Sequence, residues 1–262
     1  MKIVKITKTG LFYKVKFDND EVYKFHESVI ISYGFIRKNI EVSQVKLTKA
    51  LAENEYYLAL DKGINYLSTL HSRKEVILYL RRYYDSEIVG RVILKLEELK
   101  LINDLEYAKY FVSVMKKKHY GRYKIIQELK ELEVNEDYIN EAVSEYLLEE
   151  EIENCEKLFS KYLPSLKKES RIGINKKVTN HLIQKGFSNE IITITIEKNR
   201  EKLDNIVDED EILLQLYKKI LKTKNKINDD KKFKNKVIRS LSAKGFPLYK
   251  ILKLLEGEID YD

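Results

Sequence analysis

Four histidines and one cysteine are the side chains best suited to nucleophilic, general-base or metal-binding chemistry, and their spacing serves none of these. His26, His71, His119 and His181 stand far apart, with no i,i+4 pair, and Cys155 has no second thiol. The chain holds no HExxH, no nucleophile elbow and no Walker loop. A hydrolytic site would need folding to bring His119 beside distant carboxylates. No catalytic residue, cofactor or metal is therefore expected, and with a single cysteine no disulfide framework can form within the chain. Cys155, at an acidic helix start, reads as a small, partly buried residue rather than a reactive thiol. Gly121, in His119-Tyr120-Gly121-Arg122-Tyr123-Lys124, reads as a turn before a helix. Its alternative use is to open a helix N-terminus toward a phosphate or carboxylate.

Charge placement says more. The 262 residues carry 49 Lys+Arg and 42 Asp+Glu, a net +7. Abundant Lys, Ile, Asn and Tyr is also what an AT-rich coding sequence produces, so only the position of the charge carries an argument. Between residues 109 and 127 there are six basic residues and no acid (Lys109, Lys116, Lys117, Lys118, Arg122, Lys124), with Tyr110, Tyr120 and Tyr123 interleaved. From 128 to 151 ten acids face Lys130 alone. Such a switch can give one basic and one acidic face, suited to a partner that itself alternates in charge, such as a protein–nucleic acid filament. A second basic region spans 218–244, with Lys226 and Asp229 inside it, and could contact phosphates.

The elements that must position these residues divide in two. Period-two alternation in residues 2–6, 13–17 and 21–25, separated by Thr9-Gly10 and Asp18-Asn19-Asp20, predicts an antiparallel meander over 1–27. A short helix near 27–33 and a strand or turn near 40–45 complete a β-rich module, 1–50. From Thr48 on the pattern is helical. An apolar helix end, a turn and another helix recur around Leu80, Leu129, Leu182 and Leu241, which lie 49, 53 and 59 residues apart. Four repeats of three helices follow, at 51–104, 105–149, 150–204 and 205–262. In the first, a helix over 54–69 is followed by Ser72 with Glu75 as a capping box, and Ser86 caps the third helix. Asn103 or Asp104 caps the first helix of the second repeat. Gly186 and Gly245 fit left-handed helix ends, with Ser188 as an N-cap and Pro247 as a first-turn proline. No run approaches the ~18 apolar residues of a membrane span. The opening Met1-Lys2-Ile3-Val4-Lys5 lacks the apolar core of a secretory signal, so a cytoplasmic, reducing location is expected.

These residues resemble the RecX family, bacterial regulators of the RecA recombinase, over roughly 50–259. The marks are Ala59-Leu60, Ser72-Arg73-Lys74-Glu75, Leu80-Arg81-Arg82, the stretch from Leu96 through Asn103-Asp104 to Ala108, and Gly121, Ile126, Glu128 and Leu129. Where the family has Lys-Gly after Leu80-Arg81-Arg82, this chain has Tyr83-Tyr84; the matching site of the second repeat is Leu132-Glu133, and the usual Asp-Asp is Asn103-Asp104.

The resemblance implies a mainly all-α protein, tandem three-helix repeats in an elongated curved array with the small β-rich N-terminal module. It implies a monomer that binds a RecA filament on DNA, with weak, sequence-independent contact to single- or double-stranded DNA. It further implies inhibition of ATPase, strand exchange and coprotease stimulation by blocking filament extension or promoting disassembly. A solenoid that spreads many weak contacts needs no pocket. The residues expected to reach RecA or DNA are Arg81, Arg82, Lys116, Lys117, Lys118, Arg122 and Lys124, with Tyr120 and Tyr123 as aromatic contacts. The competing reading is a helix-turn-helix DNA-binding regulator independent of RecA. The third helices, 86–99 and 135–148, are apolar on one face and mixed or acidic on the other, which suits packing better than a major groove. A structural adaptor for another protein would share the repeats but not the salt-dependent DNA binding.

Overall fold

In the computed structural model the described residues are 1–206, 208–222, 224 and 230–257. Alternation produces β1 (Ile3–Thr9), β2 (Phe12–Phe17) and β3 (Val22–His26), an antiparallel meander in the order β1-β2-β3. Gly10 and Asp20, both at positive φ, make its turns. The register places Phe17 opposite Ile3 and Val15 opposite Ile6 and Tyr23, which fixes which face is apolar. That face buries Ile3, Val15, Phe17 and Phe25 against α1 (Glu27–Ser32) and the first half of α2 (Gln44–Tyr66). The strand expected near 40–45 is a single bridge between Lys2 and Glu41.

His26 has a structural task. Its Nδ1 accepts from the Ser28 N–H at 3.1 Å and so caps α1, while its ring stacks on Tyr57 at 5.2 Å. Its own N–H donates to the buried Asn54 Oδ1 at 2.7 Å, and Asn54 Nδ2 donates to the Lys24 carbonyl at 3.1 Å, pinning β3 to α2.

The helix expected over 54–69 is longer, because Ser43 caps it ten residues earlier. α2 therefore serves two cores. Leu47 and Ala50 close the sheet module, and Ala59 packs with Val76, Leu80, Val89, Val92, Ile93 and Leu96 of α3 (Arg73–Leu80) and α4 (Ser86–Glu98). Gly63 makes this approach possible: a Cβ there would stand 3.0 Å from Leu96 Cδ1. The Ser72–Glu75 capping box forms at 3.2 and 2.8 Å. Asp85, not Ser86, caps α4: Asp85 is the last extended residue and its carboxylate accepts from the Ile88 N–H, which makes Ser86 the first helical residue.

Helices then continue in threes: α5 (Asp104–Lys117), α6 (Arg122–Glu131) and α7 (Glu136–Ser144); α8 (Leu148–Tyr162), with a 3-10 turn at Leu163–Leu166, α9 (Arg171–Gln184) and α10 (Asn189–Lys198). After a short α11 (Arg200–Asn205) come α12 (Glu209–Leu221), α13 (Asp230–Ala243) and α14 (Leu248–Glu256). Leu80, Leu129, Leu182 and Leu241 are all fully buried, as their recurrence predicts. Gly186 and Gly245 take φ of 87° and 86°. Pro247 is the N-cap of α14 rather than a residue of its first turn, since its ψ of 138° is extended.

Two compact units result, one of Met1–Ala108 with Lys130–Ile139 and one of Lys109–Leu129 with the chain from Asn140 onward. In the first the cores are those of the sheet and of α2–α4. In the second a continuous core joins Cys155, Phe159, Val178, Leu182, Phe187, Leu213, Val237, Leu241 and Ile251. Among the described residues no helix is long and apolar enough to cross a membrane.

Candidate functional site

The second helix of each of the first three repeats begins with an arginine, and these arginines lie at a strict interval: Arg73, Arg122 and Arg171, each 49 residues after the last. A helix start leaves backbone N–H groups without partners. Here one is satisfied by an acid from the helix that opens the next repeat. The Arg73 N–H donates to Asp104 Oδ1 at 2.8 Å, that of Arg122 to Glu151 Oε1 at 2.8 Å and that of Arg171 to Glu209 Oε1 at 3.1 Å. The guanidinium of each reaches the end of the helix before that acid, or the turn just after it. Arg73 Nε meets Glu97 at 2.6 Å, Arg122 Nη2 donates to the Tyr146 carbonyl, and Arg171 Nη2 donates to the Asp204 carbonyl at 3.2 Å. Arg122 Nε also lies 2.9 Å from Glu151 Oε2, a charge contact whose angle makes no hydrogen bond. Burial raises the carboxyl pKa of Glu151 and of Asp104, against the pull of their arginine partners.

A second contact repeats beside the first. The turn that ends α9 sits on the start of α6: the Gly121 N–H donates to the Lys185 carbonyl at 2.9 Å and the Tyr123 N–H to the Gly186 carbonyl at 3.1 Å. A Cβ on Gly121 would stand 2.3 Å from the Gly186 oxygen, so the backbones touch. Gly121 thus belongs to a turn, and the α6 N-terminus is occupied by the chain's own carbonyls and by Glu151. The turn ending α13 meets the start of α9 in the same way, with Ser170 Oγ donating to the Lys244 carbonyl at 2.6 Å. At the start of α3 the equivalent turn carries Glu133 at φ 57°, and Lys74 Nζ binds its carboxylate at 2.9 Å.

Of the nine residues singled out from sequence, some are engaged at or beside these joints and others are exposed. In the first unit, Arg81 and Arg82 are exposed at the end of α3 and form no ion pair among the described residues. In the second unit, Lys117 and Lys118 at the end of α5 are likewise exposed and without an ion pair among the described residues, and Tyr123 is exposed. Lys116 is engaged, 2.6 Å from Glu150 and 5.1 Å from the Tyr146 ring centroid. Its hydrogen bond holds the Glu150 carboxyl below the usual range. Lys124 pairs with Glu128 at 3.2 Å, and Arg122 belongs to the joint. Tyr120 lies beneath Lys185 Nζ at 4.9 Å and lends its carbonyl to Tyr146 Oη.

The basic stretch 109–127 and the acidic stretch 128–151 therefore do not form two opposed faces. Lys109 meets Glu141 and Glu145 at 2.7 and 3.3 Å, and with Lys116, Arg122 and Lys124 it turns four of the six cations onto the acids that follow. Lys109, Lys116 and Arg122 stand within reach of acids at 141–151, and Lys124 lies one helical turn from Glu128. The sequence marks Asp104 only as a candidate cap and a family mark, and does not mark Asp104, Glu151 or Glu209 as acceptors for an earlier helix start. The signal that locates their joints is the 49-residue interval of the arginines.

Among the described residues, the polar groups nearest these joints serve structure. His119 Nδ1 contacts Asn154 Oδ1 at 2.7 Å, and Asn154 also donates to Tyr146 Oη at 2.8 Å, a buried polar network that ties α8 to the segment after α7. Burial pushes the Tyr146 hydroxyl up to about 12 and the Cys155 thiol up to about 11. No group of three potential metal ligands occurs among the described residues. Of the basic region 218–244, Lys226 and Asp229 lie outside the described residues. On α13, Lys232, Lys236 and Arg239 line an open groove.

Comparison with known proteins agrees with the repeats. Residues 103–143 match the family description "RecX, second three-helix domain" and residues 149–195 match "RecX, third three-helix domain". Regulatory protein RecX of Leuconostoc mesenteroides subsp. mesenteroides is 32% identical over 250 residues, covering 94% of this chain and 92% of that protein. A crystal structure of regulatory protein RecX superposes with a TM-score of 0.65 at 24% identity, over 75% of this chain and 98% of its own. The crystal structure of RecX from Lactobacillus salivarius gives 0.50 at 28% identity, over 56% of this chain and 97% of its own. With a relative this similar along nearly the whole length, the chain belongs to the RecX family of regulatory proteins.

Proposed function

We propose that this protein is a noncatalytic regulator of RecA-type recombinase filaments on DNA, lowering their ATP hydrolysis, strand exchange and coprotease stimulation by blocking filament extension or promoting disassembly. The observation that carries this reading is the relationship to RecX over nearly the full length, repeats and N-terminal module included. The distribution of charge supports it. Most cations of the second repeat hold the fold together, and Arg81, Arg82, Lys117 and Lys118 stay available to a partner, with Tyr123 beside them in the sequence. Contacts of this kind are individually weak, so binding along a filament gains from many of them at once. The protein acts as a monomer in the cytoplasm, and its contact with DNA is weak and independent of sequence.

A helix-turn-helix regulator acting without RecA has less support. Third helices that read a groove would offer free cations, yet on α4 Arg91 meets Glu53 at 3.1 Å and Lys95 meets Glu98 at 2.9 Å, while α7 begins with Glu136 and Asp137. The test is ATP hydrolysis by a filament preassembled on single-stranded DNA with this protein titrated in. A fall supports filament regulation, and an unchanged rate with the cognate recombinase contradicts it.

A further inference from the structure

The N-terminal sheet packs one face on α1 and α2 and leaves most of the other exposed, apart from the end where His26 is buried against Tyr57. On the exposed face the register sets lysine against lysine: Lys5 lies directly opposite Lys16, and Lys14 directly opposite Lys24, with Thr7 across from Lys14 on the other side. Like charges directly opposite on a sheet are destabilising. Of the four lysines, carboxylates of the same module pair only Lys16 among the described residues. Glu27 binds Lys8 at 2.7 Å and Tyr13 at 3.0 Å, and Glu41 binds Lys2 at 3.3 Å. Lys16 has Asp20, a turn residue, at 2.7 Å. Lys5, Lys14 and Lys24 are exposed and have no ion pair among the described residues, and Lys24 Nζ lies over the half-buried Phe12 ring, 3.9 Å from its centroid.

We propose that this lysine face binds the backbone of single-stranded DNA. Residues two apart on a strand are about 7 Å apart and neighbouring strands about 4.8 Å, so the four lysines stand on a close two-dimensional net. A row of phosphates answers the charge of Lys5, Lys14 and Lys24, which the carboxylates of the module leave unpaired among the described residues. The aromatic ring among the lysines selects the single strand over the duplex: an unpaired base has a free face to stack on Phe12 once the Lys24 ammonium turns to a phosphate, whereas duplex bases are already stacked. Thr7 and Thr9 are exposed on the same face, across from Lys14 and Phe12. This inference rests on the DNA contact proposed above, to which it assigns a surface and a preference for the single strand, and the binding itself needs no recombinase.

The experiment is fluorescence anisotropy of a labelled oligothymidylate with the full-length protein alone, from about 50 to 200 mM salt. Lys5→Gln/Lys14→Gln/Lys24→Gln is compared with the parent and with a charge-matched control, Lys38→Gln/Lys49→Gln/Lys100→Gln. The sheet variant is expected to bind at least about tenfold more weakly at the low-salt end, with a log–log salt slope flatter by about two, near 0.7 for each phosphate that is no longer neutralised. Its melting temperature stays level or rises, because the repulsion is relieved. Parental affinity in the sheet variant, or an equal loss in the control, overturns the proposal. Displacement of the probe by unlabelled duplex as readily as by single strand overturns the single-strand assignment.

Discussion

Glu151 accepts the backbone N–H of Arg122 at 2.8 Å while being only 2% exposed, so a residue of the acidic run 149–151 closes the start of a helix in the preceding repeat. The same relation holds between Arg73 and Asp104 and between Arg171 and Glu209. Repeat architectures derive much of their stability from such nearest-neighbour interfaces. Here the interface joins a backbone donor, a guanidinium and a carboxylate, and its sequence trace is an arginine every 49 residues.

Removing the acceptor tests the joint. Glu151→Ala leaves the Arg122 N–H unsatisfied and is expected to cost about 1–3 kcal/mol in chemical denaturation. Glu151→Gln keeps an acceptor but cannot ionise. Because burial raises the Glu151 pKa above the ordinary 4.5, the folded protein holds that proton more tightly than the unfolded chain. Its contribution is present below the ordinary value and falls as pH rises through it toward the raised one. The melting temperature of Glu151→Gln should therefore gain on the parent as pH rises above the ordinary carboxylate value. A constant difference contradicts this account of Glu151.

Gly186 is held by backbone contact as well as by conformation. Gly186→Ala places a Cβ 2.3 Å from Lys124 N at a φ of 87° and is expected to cost more than about 2 kcal/mol. Gly34→Ala, at a φ of 68° with nothing within 4 Å, meets only the backbone cost of about 1–2 kcal/mol. Equal losses in urea melts would show that the turn of the third repeat does not bear on α6.

Glu133 takes a left-handed conformation where the later repeats have glycine. Glu133→Gly removes that strain at the cost of an exposed ion pair with Lys74, which contributes little. A higher melting temperature is expected, and a lower one would show that the Lys74 pair matters more than the backbone.

The free cations separate from the structural ones. Lys117→Gln/Lys118→Gln should weaken filament inhibition and leave the melting curve unchanged, because neither lysine has an ion-pair partner among the described residues. Arg122→Gln should lower the melting temperature, since its guanidinium holds the Tyr146 carbonyl and Glu151. Full inhibition by the Lys117/Lys118 variant rules out that placement.

Much of the fold was legible because its signals are local. Leu80, Leu129, Leu182 and Leu241 recur at helical positions and all are buried, and the Ser72–Glu75 box lies within four residues of sequence. The site was less legible because its state depends on distant partners. Lys116 and Lys117 are neighbours in sequence, yet only Lys116 meets a carboxylate, that of Glu150, 34 residues away. Nothing in Glu149-Glu150-Glu151 marks which acid turns inward; it is Glu151, which meets the Arg122 N–H 29 residues away. Sheet register was equally hidden. The alternation announces two faces, while the pairing of Lys14 with Lys24 depends on turn lengths.

The central claim is regulation of a recombinase filament, and the most direct measurement is ATP hydrolysis by RecA preassembled on excess single-stranded DNA. This protein is titrated in well below one copy per RecA. A progressive fall in the rate at these ratios is predicted, as expected of blocked extension or net disassembly. An unchanged rate with the cognate recombinase contradicts the account.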